Sequence, residues 1–227
     1  MASLYRFVAR FEARRGAMGK AMSEHSIAGA ILAGGRSRRM GGAPKALLKL
    51  DDRTLLEHVL DRLAPQVEGV VLSVERRSPD WAPFGLDQVC DPQPGCNGPL
   101  GGLCATLEAV ADRAEWLALA PCDAPFLPRD LVRRLAACAP DADAVVVRLD
   151  GIAQPTFSLW HRRLVEPLRR AVLEARMGGF RQFLAGIDWA PLDWPAAGGA
   201  AFMNINDPDT LAAARRRLAG LRETTTC

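Results

Sequence analysis

Residues 27–45 read IAGAILAGGRSRRMGGAPK. The first six residues form a short apolar run that is typical of a buried strand, and this run leads into a loop rich in glycine and basic residues. Glycine permits positive φ and close backbone approach, so successive N–H groups of such a loop can point at an anion. The P-loop pattern G-x-x-x-x-G-K-[ST] is absent, and so is G-x-G-x-x-G. The stretch therefore predicts a first strand followed by an anion-binding loop of a different kind.

The basic residues of this loop include an uncommon lysine. The chain has three lysines, Lys20, Lys45 and Lys49, against 26 arginines. A compact ammonium at position 45 suits a point contact with phosphate oxygens; the alternative is a solvated loop lysine. The candidate anion-binding residues of the loop are Gly34, Gly35, Gly41, Gly42, Arg36, Arg38, Arg39 and Lys45.

Strands and helices alternate along the rest of the chain. The predicted strands are 27–32, 69–74, 88–90, 116–120, 144–147 and 155–160. The predicted helices are 54–63, 100–111, one that Pro128 starts with Asp130 in its first turn, 161–175 and 207–219. This alternation implies βαβ units and an α/β fold with a mainly parallel twisted sheet and helices on both faces. Ligands bind beyond the carboxyl ends of such strands, so we expect the chemistry in loops 33–45, 91–99 and 121–127.

Carboxylates stand at two of these strand ends. Asp123 lies in PCDAP (121–125) after a buried strand, and Asp91 follows the predicted strand 88–90. Mg²⁺ in nucleotide sites takes one or two carboxylates plus substrate phosphates, which makes Asp123 the candidate metal ligand. The alternative for Asp123 is a turn or helix-capping role. The glycines of GPLGG (98–102) either admit a base or ribose close to the backbone or let a helix pack tightly on the sheet.

Two amides precede the last predicted helix. Asn204 and Asn206 lie in FMNINDPDTL (202–211). Either Asn206 or Asp207 fits an ordinary N-cap with Pro208 at the first helical position. Capping accounts for one of these polar groups, so a substrate or metal role remains for Asn204 or Asn206.

Length and charge limit the possible classes of protein. The 227 residues are 49% hydrophobic and 24% charged, which fits one globular domain or two small ones. The sequence contains no run of 18 apolar residues, so it predicts no membrane-spanning helix. The formal charge is +3, and residues 1–26 alone carry this excess through five basic and two acidic residues. A neutral body lacks the positive field that nucleic-acid binding requires.

The domain organisation follows from the same patterns. We expect 1–26 to be a poorly packed basic extension; a short amphipathic helix or a targeting peptide is the alternative. Residues 27–220 are predicted to form one domain, with a nucleotide-binding half (27–150), an acceptor-side half (151–220) and a tail (221–227). The cysteines, which lack a C-x-x-C pair, indicate reduced, mostly buried thiols in a cytoplasmic protein without a structural zinc site. They are Cys90, Cys96, Cys104, Cys122, Cys138 and Cys227.

Four motifs, in order, resemble those of the molybdenum cofactor guanylyltransferase family. They are LAGGRSRRMGGAPK (32–45), GPLGGL (98–103), PCDAPFLP (121–128) and NINDPDTL (204–211). The resemblance spans about 27–219, and it implies a Rossmann-like, GT-A-type nucleotidyltransferase fold. The A-x-G-x-G-x-R loop typical of sugar-phosphate and methylerythritol-phosphate nucleotidyltransferases is absent.

The resemblance also implies a reaction and a nucleotide site. GMP would pass from GTP to the terminal phosphate of molybdopterin carrying molybdenum, and pyrophosphate would leave. The nucleotide would contact Leu32, Ala33, Gly34, Gly35, Lys45, Asp91 and Asp123. Asp123 would also bind Mg²⁺. Ser73 stands where the family has an asparagine; because a hydroxyl cannot make the paired contacts of an amide, that contact is not carried over.

An anion that attacks a polyanion needs positioning and charge neutralisation more than acid–base help. Lys45, Asp123 and Arg39 are therefore the catalytic candidates, and the acceptor side is expected to include Gln154, Arg176, Arg181, Asn204 and Asn206. The expected partners are GTP, molybdenum-molybdopterin and a molybdoenzyme or its chaperone, and the chain is expected to be a monomer. Two alternatives remain: a cytidylyltransferase for the same cofactor that uses CTP, and a non-catalytic nucleotide or cofactor delivery protein.

Overall fold

The computed structural model of the chain describes residues 26–34, 44–91 and 98–225. Four parts of the sequence-based predictions lie outside these ranges. They are the basic extension (1–25), the loop residues 35–43 with Gly35 and Arg39, the loop residues 92–97 with Cys96, and the last two residues of the tail with Cys227.

The order of elements follows the predicted alternation. The strands of the described residues are β1 (Ile27–Leu32), β2 (Lys49–Leu50), β3 (Arg53–Thr54), β4 (Val70–Val74), β5 (Asp87–Cys90), β6 (Trp116–Pro121), β7 (Ala144–Leu149), β8 (Ile152–His161) and β9 (Trp189–Trp194). The α-helices of the same ranges are α1 (Leu55–Leu63), α2 (Pro99–Val110), α3 (Leu131–Ala136), α4 (Val165–Arg169), α5 (Phe180–Leu184) and α6 (Pro208–Thr225). A π-helical turn (Arg170–Glu174) extends α4, and short 3₁₀ helices fill several connections.

Seven of these strands form one mixed sheet in the order β5-β4-β1-β6-β8-β7-β9. The pairings of β1 with β4 and β6, of β4 with β5 and of β7 with β9 are parallel. The strand β8 runs antiparallel to both β6 and β7. The sheet is thus mainly parallel, as predicted, and the carboxyl ends of β5, β4, β1 and β6 lie along one edge.

Helices cover both faces of this sheet, which confirms the predicted layering. Residues Ile27 and Ile31 of β1 face the layer that contains α1 and α3, and Ala28 and Ala30 face the layer of α2, α4 and α5. Because a central strand is buried on both faces, its sequence is a continuous apolar run rather than an alternating one. A smaller apolar cluster joins α6 to the β2–β3 hairpin and the start of α1.

The reversal at β8 and the edge strand β9 were not predicted. A two-residue turn, Asp150-Gly151, joins β7 to β8, and both of its residues have positive φ (48° and 80°). Asp-Gly between apolar residues is a strong hairpin signal, and it explains why β8 runs back along β7. Strand β9 contains Pro191 and lies at the edge of the sheet, where a missing N–H is tolerated.

The helix after β6 starts later than predicted. The sequence predicts a start at Pro128 with Asp130 in the first turn, but α3 begins at Leu131 and the side chain of Asp130 makes no capping hydrogen bond. The N–H of Val132 is instead satisfied by the distant side chain of Gln66, at 2.9 Å. A cap that comes from another element cannot be read from the local sequence.

Three further features concern the last helix, the cysteines and the lengths of the helices. The helix α6 continues to Thr225, past the predicted domain boundary at 220. Of the four cysteines in the described ranges, Cys104 and Cys122 are buried, Cys90 and Cys138 are partly buried, and none forms a disulfide. Within those ranges no helix is both long enough and apolar enough to span a bilayer.

Helix α1 begins with a complete capping box, which provides a stability prediction. The hydroxyl of Thr54 accepts a hydrogen bond from the Glu57 amide, and the Glu57 carboxylate accepts one from the Thr54 amide. Thr54→Ala should lower the free energy of unfolding by about 1 kcal/mol, measured by urea denaturation. Ser78→Ala, which removes the cap of an exposed 3₁₀ helix, should cost less. An unchanged urea midpoint in Thr54→Ala would contradict the prediction.

Candidate active site

Lys45 and Asp123 meet at the carboxyl edge of the sheet, although 78 positions separate them. The Lys45 Nζ lies 2.7 Å from Asp123 Oδ2. Their side chains are only 15% and 13% exposed, so this ion pair is largely shielded from water. The sequence placed both residues in loops that follow strand ends, where ligands bind in α/β sheets, and the structure brings their side chains into contact.

The strand β6 places the carboxylate. It ends at Pro121, and the Cys122 amide donates to the carbonyl of Leu32 on neighbouring β1 at 3.1 Å. This bond extends the parallel pairing by one residue and aims Asp123 beyond the sheet edge. Burial raises the pKa of the intervening Cys122 thiol, so that thiol stays protonated and is no nucleophile.

A short 3₁₀ turn (Lys45–Leu47) places the ammonium. The buried side chain of Ala46 anchors this turn, and the Leu48 amide closes it on the Lys45 carbonyl at 3.1 Å. The Leu55 amide of α1 then donates to the Leu48 carbonyl at 2.9 Å. The lysine therefore stands on a turn that is fixed to a helix, which is not the solvated loop position of the alternative interpretation.

The segment before α6 completes the cluster. Asn206 Oδ1 accepts a second hydrogen bond from Lys45 Nζ at 2.5 Å. The neighbouring Ile205 amide donates to the backbone carbonyl of Asp123 at 2.9 Å. Asp207, rather than Asn206, caps the helix, since its carboxylate accepts from the Thr210 amide at 2.8 Å. Asn206 is thus released from capping and belongs to the site.

Two buried oxygen atoms in this cluster are orphaned. Among the residues that the structure describes, Asp123 Oδ1 and Asn204 Oδ1 are buried side-chain acceptors without a hydrogen-bond partner. A buried oxygen without a donor is costly unless a ligand satisfies it. A divalent cation that binds one carboxylate and several phosphate oxygens fits Asp123 Oδ1. No group of three or more His, Cys, Asp or Glu residues within the described ranges could hold a metal by itself.

The described part of the first loop lies at the same edge. Leu32 ends β1, the Ala33 amide donates to the Ser73 carbonyl at 2.8 Å, and Gly34 lies against the Glu75 backbone. Ala33 is buried and Gly34 is exposed, so the backbone leaves the core at this point. These residues occupy the position that an anion-binding loop requires.

Asp91 lies at the same edge but away from the lysine. Three inter-strand spacings, roughly 14 Å in total, separate the end of β5 from the end of β6. Asp91 is thus set apart from Asp123 along this edge. Burial raises the pKa of Asp91 to about 6, and the negative charge of Glu75 adds to this shift. Glu75 directly follows β4 and was not among the predicted site residues, although its place after a strand is the same signal that identified Asp91.

The raised pKa of Asp91 predicts a pH-dependent effect on stability. Its folded pKa of about 6 exceeds the ordinary value of 3.8, so the folded protein binds this proton more tightly than the unfolded chain. The stability that this group contributes is lost as the pH rises through that interval. Asp91→Asn should thus be stabilising relative to wild type at neutral pH and have little effect near pH 4, measured by urea denaturation at both pH values. The exposed Asp112→Asn is the control, and an equal Asp91→Asn effect at both pH values would contradict the prediction.

The glycines of 98–102 serve close packing. A Cβ at Gly102 would lie 2.6 Å from the Ser73 hydroxyl oxygen and 2.9 Å from a Leu32 methyl carbon. A Cβ at Gly98, where φ is +151°, would lie 2.2 Å from the Gly178 carbonyl oxygen. Gly102 therefore lets α2 pack tightly on the sheet, which is one of the two roles that the sequence left open for these glycines. Ser73 is buried beneath this helix, and the space there suits a short side chain.

The predicted acceptor residues do not all come together. Asn206 contacts Lys45, whereas Arg181 is an exposed residue of α5, whose buried side chains pack in the apolar layer with α2 and α4. Arg176 is exposed at a positive φ of 55°, and the Gln154 amide donates to the Ile152 carbonyl at 3.4 Å. Of the acceptor candidates within the described ranges, Asn206 is therefore the one that contacts the lysine.

Comparisons with known proteins agree with this geometry. Residues 29–190 match the family model described as MobA-like NTP transferase domain. The structure resembles molybdopterin-guanine dinucleotide biosynthesis protein A from Archaeoglobus fulgidus with a TM-score of 0.70 at 22% identity, over 85% of this chain and 99% of that one. Fold and site together define a nucleotidyltransferase of the MobA-like class.

Comparison with curated relatives identifies the family within this class. The molybdenum cofactor guanylyltransferase of Rhodopseudomonas palustris (strain BisB5) is 40% identical over 201 residues, which cover 86% of this chain and 96% of the relative. That of Bradyrhizobium sp. (strain ORS 278) is 41% identical over 199 residues, with 86% and 94% coverage. The chain belongs to the molybdenum cofactor guanylyltransferase family.

Proposed function

We propose that this chain transfers GMP from GTP to the terminal phosphate of molybdenum-molybdopterin, which forms the guanine dinucleotide form of the cofactor and releases pyrophosphate. Membership of the family supports this activity. The observation that carries the proposal is the shielded contact of Lys45 with Asp123, at 2.7 Å, beside the loop that leaves β1. A cation and a carboxylate held together at a strand edge suit a triphosphate and its divalent ion.

The chemistry follows from charge. An oxygen of the terminal pterin phosphate attacks the α-phosphorus of GTP, and the bond from that phosphorus to the bridging oxygen of the leaving pyrophosphate breaks. The attacking oxygen is already anionic, so no side chain has to remove a proton from it. What the protein must supply is alignment and positive charge around the phosphates.

Lys45 is suited to supply this charge. Its ammonium has three N–H donors, and the described contacts use two of them, on Asp123 and Asn206. The third can meet a phosphate oxygen without a change in the other two. Because Asp123 and Asn206 fix the ammonium before substrate arrives, little reorganisation is needed during the reaction.

We propose Mg²⁺ as the divalent ion, with Asp123 Oδ1 as its protein ligand. When bound, Mg²⁺ neutralises phosphate charge. Asp123 Oδ2 holds Lys45 while its orphaned, buried Oδ1 remains available. Asn204 Oδ1 is the second orphaned acceptor in the segment, and we propose that it binds either the same ion or the acceptor substrate.

We further propose a cytoplasmic location and delivery of the product to a molybdoenzyme or its chaperone. The four cysteines among the described residues form no disulfide, which is consistent with a reducing compartment. We also propose that the chain is a monomer, which sedimentation at micromolar concentration would test.

The decisive assay measures pyrophosphate release by the purified full chain with molybdenum-molybdopterin and GTP, with and without Mg²⁺. We expect release that needs all three, and CTP in excess should compete poorly. Efficient turnover with CTP would indicate the cytidylyltransferase alternative. Nucleotide binding without turnover would indicate a delivery protein and would refute the proposed activity.

A further inference from the structure

The segment that carries Asp123 has little regular structure of its own. Residues 122–130 run from the end of β6 to the start of α3 without a helix or strand. The local backbone bonds there are long, from the Leu127 amide to the Ala124 carbonyl at 3.2 Å and from the Leu131 amide to the Pro128 carbonyl at 3.3 Å. The Cys122 and Ile205 amides hold the start of the segment, so its second half is the part that needs contacts from another element.

Gln66 supplies those contacts. It lies in the short turn after α1, and its side chain is buried, with the residue 7% exposed. Its Nε2 donates to the Pro128 carbonyl at 2.9 Å and to the Arg62 carbonyl at 2.8 Å. Its Oε1 accepts from the Val132 amide at 2.9 Å. Gln66 thus bridges α1 to both ends of the Pro128–Val132 stretch.

Two arginines strengthen the same bridge. Arg62 of α1 donates from Nη1 to the Leu127 carbonyl at 3.1 Å. Arg129 donates to the carboxylate of Asp61 at 2.7 Å and to its backbone carbonyl at 3.2 Å. The Arg129–Asp61 pair is exposed and contributes little. The buried amide of Gln66 and the half-buried guanidinium of Arg62 therefore dominate the bridge.

The opposite end of α1 is tied to the lysine. The Leu55 amide donates to the Leu48 carbonyl at 2.9 Å, and the His58 ring Nε2 is hydrogen-bonded to the Leu50 carbonyl at 3.0 Å. These residues follow the turn that carries Lys45. One helix thus holds the lysine turn at its start and the aspartate segment beyond its end.

We propose that Gln66 is a positioning residue for the reaction, which sets the Asp123 segment so that its carboxylate meets Lys45. Gln66 acts through the backbone of residues 122–132 and has no substrate contact in this proposal. The catalytic part of the inference rests on the proposed function. Displacements of the order of 1 Å in a positioned group can cost about 10²-fold in rate, so a loosened segment should lower kcat.

The test compares Gln66→Met with Ser158→Ala. Gln66→Met keeps the side-chain length and removes every hydrogen bond of the amide, and Ser158→Ala is the control at another buried polar residue. Ser158 is buried on β8, donates to the Pro155 carbonyl and accepts from the Trp160 indole N–H, each at 2.6 Å. Ser158→Ala also leaves buried polar groups unpaired, but it lies outside the site. We expect about a 10-fold fall in kcat with a small change in KM for GTP in Gln66→Met alone.

A double-mutant cycle separates positioning from general loss of stability. If Gln66 acts through Asp123, then Gln66→Met should have little further effect on kcat in an Asp123→Asn background. Amide hydrogen exchange of the apo chain provides a readout without activity. Exchange in residues 123–132, above all at Val132, should accelerate in Gln66→Met and not in Ser158→Ala.

Three results would overturn the inference: unchanged exchange in 123–132, a fall in kcat equal to that of Ser158→Ala, or additive effects in the cycle. Should Gln66→Met fail to fold, Arg62→Ala removes the second tether from a partly exposed helical position and is judged by the same measurements. An inactive wild-type chain would refute the proposed function on its own. The exchange experiment on the apo chain would then still decide whether Gln66 fixes the segment.

Discussion

Asp123→Ala should lower kcat/KM for GMP transfer by about 10²-fold or more, the size found when a preorganised electrostatic group is removed. The substitution removes both the oxygen that holds Lys45 and the orphaned oxygen that we assign to the divalent ion. Steady-state pyrophosphate release over a range of GTP and Mg²⁺ concentrations is the measurement. The apparent affinity for Mg²⁺ should fall along with the rate.

Asp130→Ala is the matched control for this substitution. Asp130 lies in the same segment, makes no capping hydrogen bond and has a single long contact with Arg133 at 3.6 Å. We expect nearly wild-type kinetics from it. Asp123→Asn keeps an oxygen that can accept a hydrogen bond from Lys45, so it controls for misfolding of Asp123→Ala. Its kcat/KM for GMP transfer should still be strongly reduced. Near-normal transfer by either Asp123 variant, with circular dichroism confirming the fold, would refute the role of this carboxylate.

Lys45→Ala should also lower kcat/KM by about 10²-fold or more, because no other described side chain places a cation on Asp123. It should reduce stability as well, since breaking a largely buried pair leaves Asp123 without its counter-ion. Lys45→Arg separates these effects. A guanidinium retains the charge but is planar and larger than the compact ammonium that contacts both Asp123 and Asn206, so we expect impaired transfer with better retained stability.

Lys49→Ala is the control for the lysine variants. Lys49 lies four residues further along, exposed on the β2–β3 hairpin. Its removal changes the net charge of the chain by the same amount, and we expect wild-type transfer within about 2-fold. If Lys49→Ala were as impaired as Lys45→Ala, the effect would reflect overall charge and not a contact at position 45.

The parts of the fold that the sequence predicted are those with a local cause. The apolar run of β1 and the apolar stripe of α1 identify their elements, because burial and periodicity are written in neighbouring residues. The start of α3 was misplaced because its N-terminal amide is satisfied by Gln66, whose contact is 66 positions away. The reversal of β8 had a local signal, Asp150-Gly151, that the pattern of alternating strands and helices obscured.

In the site too, some features follow from local sequence signals and others depend on contacts between distant residues. Lys45 and Asp123 were predicted to converge because parallel strands end at one edge of a sheet, a rule that holds whatever the loops contain. The contact of Asn206 with Lys45 spans 161 positions and was open between capping and ligand roles until Asp207 proved to be the cap. Arg181 stays a prediction, because packing does not position an exposed side chain.

The hydrogen bond from the Ile205 amide to the Asp123 carbonyl bears on where this enzyme can be shortened. The matched family model ends at residue 190, yet the stretch around Ile205 supports the backbone of Asp123 and gives Lys45 its second partner. A recombinant fragment that ends at that boundary would keep Lys45 and Asp123 but would lose their hydrogen bonds with Asn206 and Ile205. The structural unit that holds Lys45 and Asp123 therefore extends at least to Asn206, just before α6.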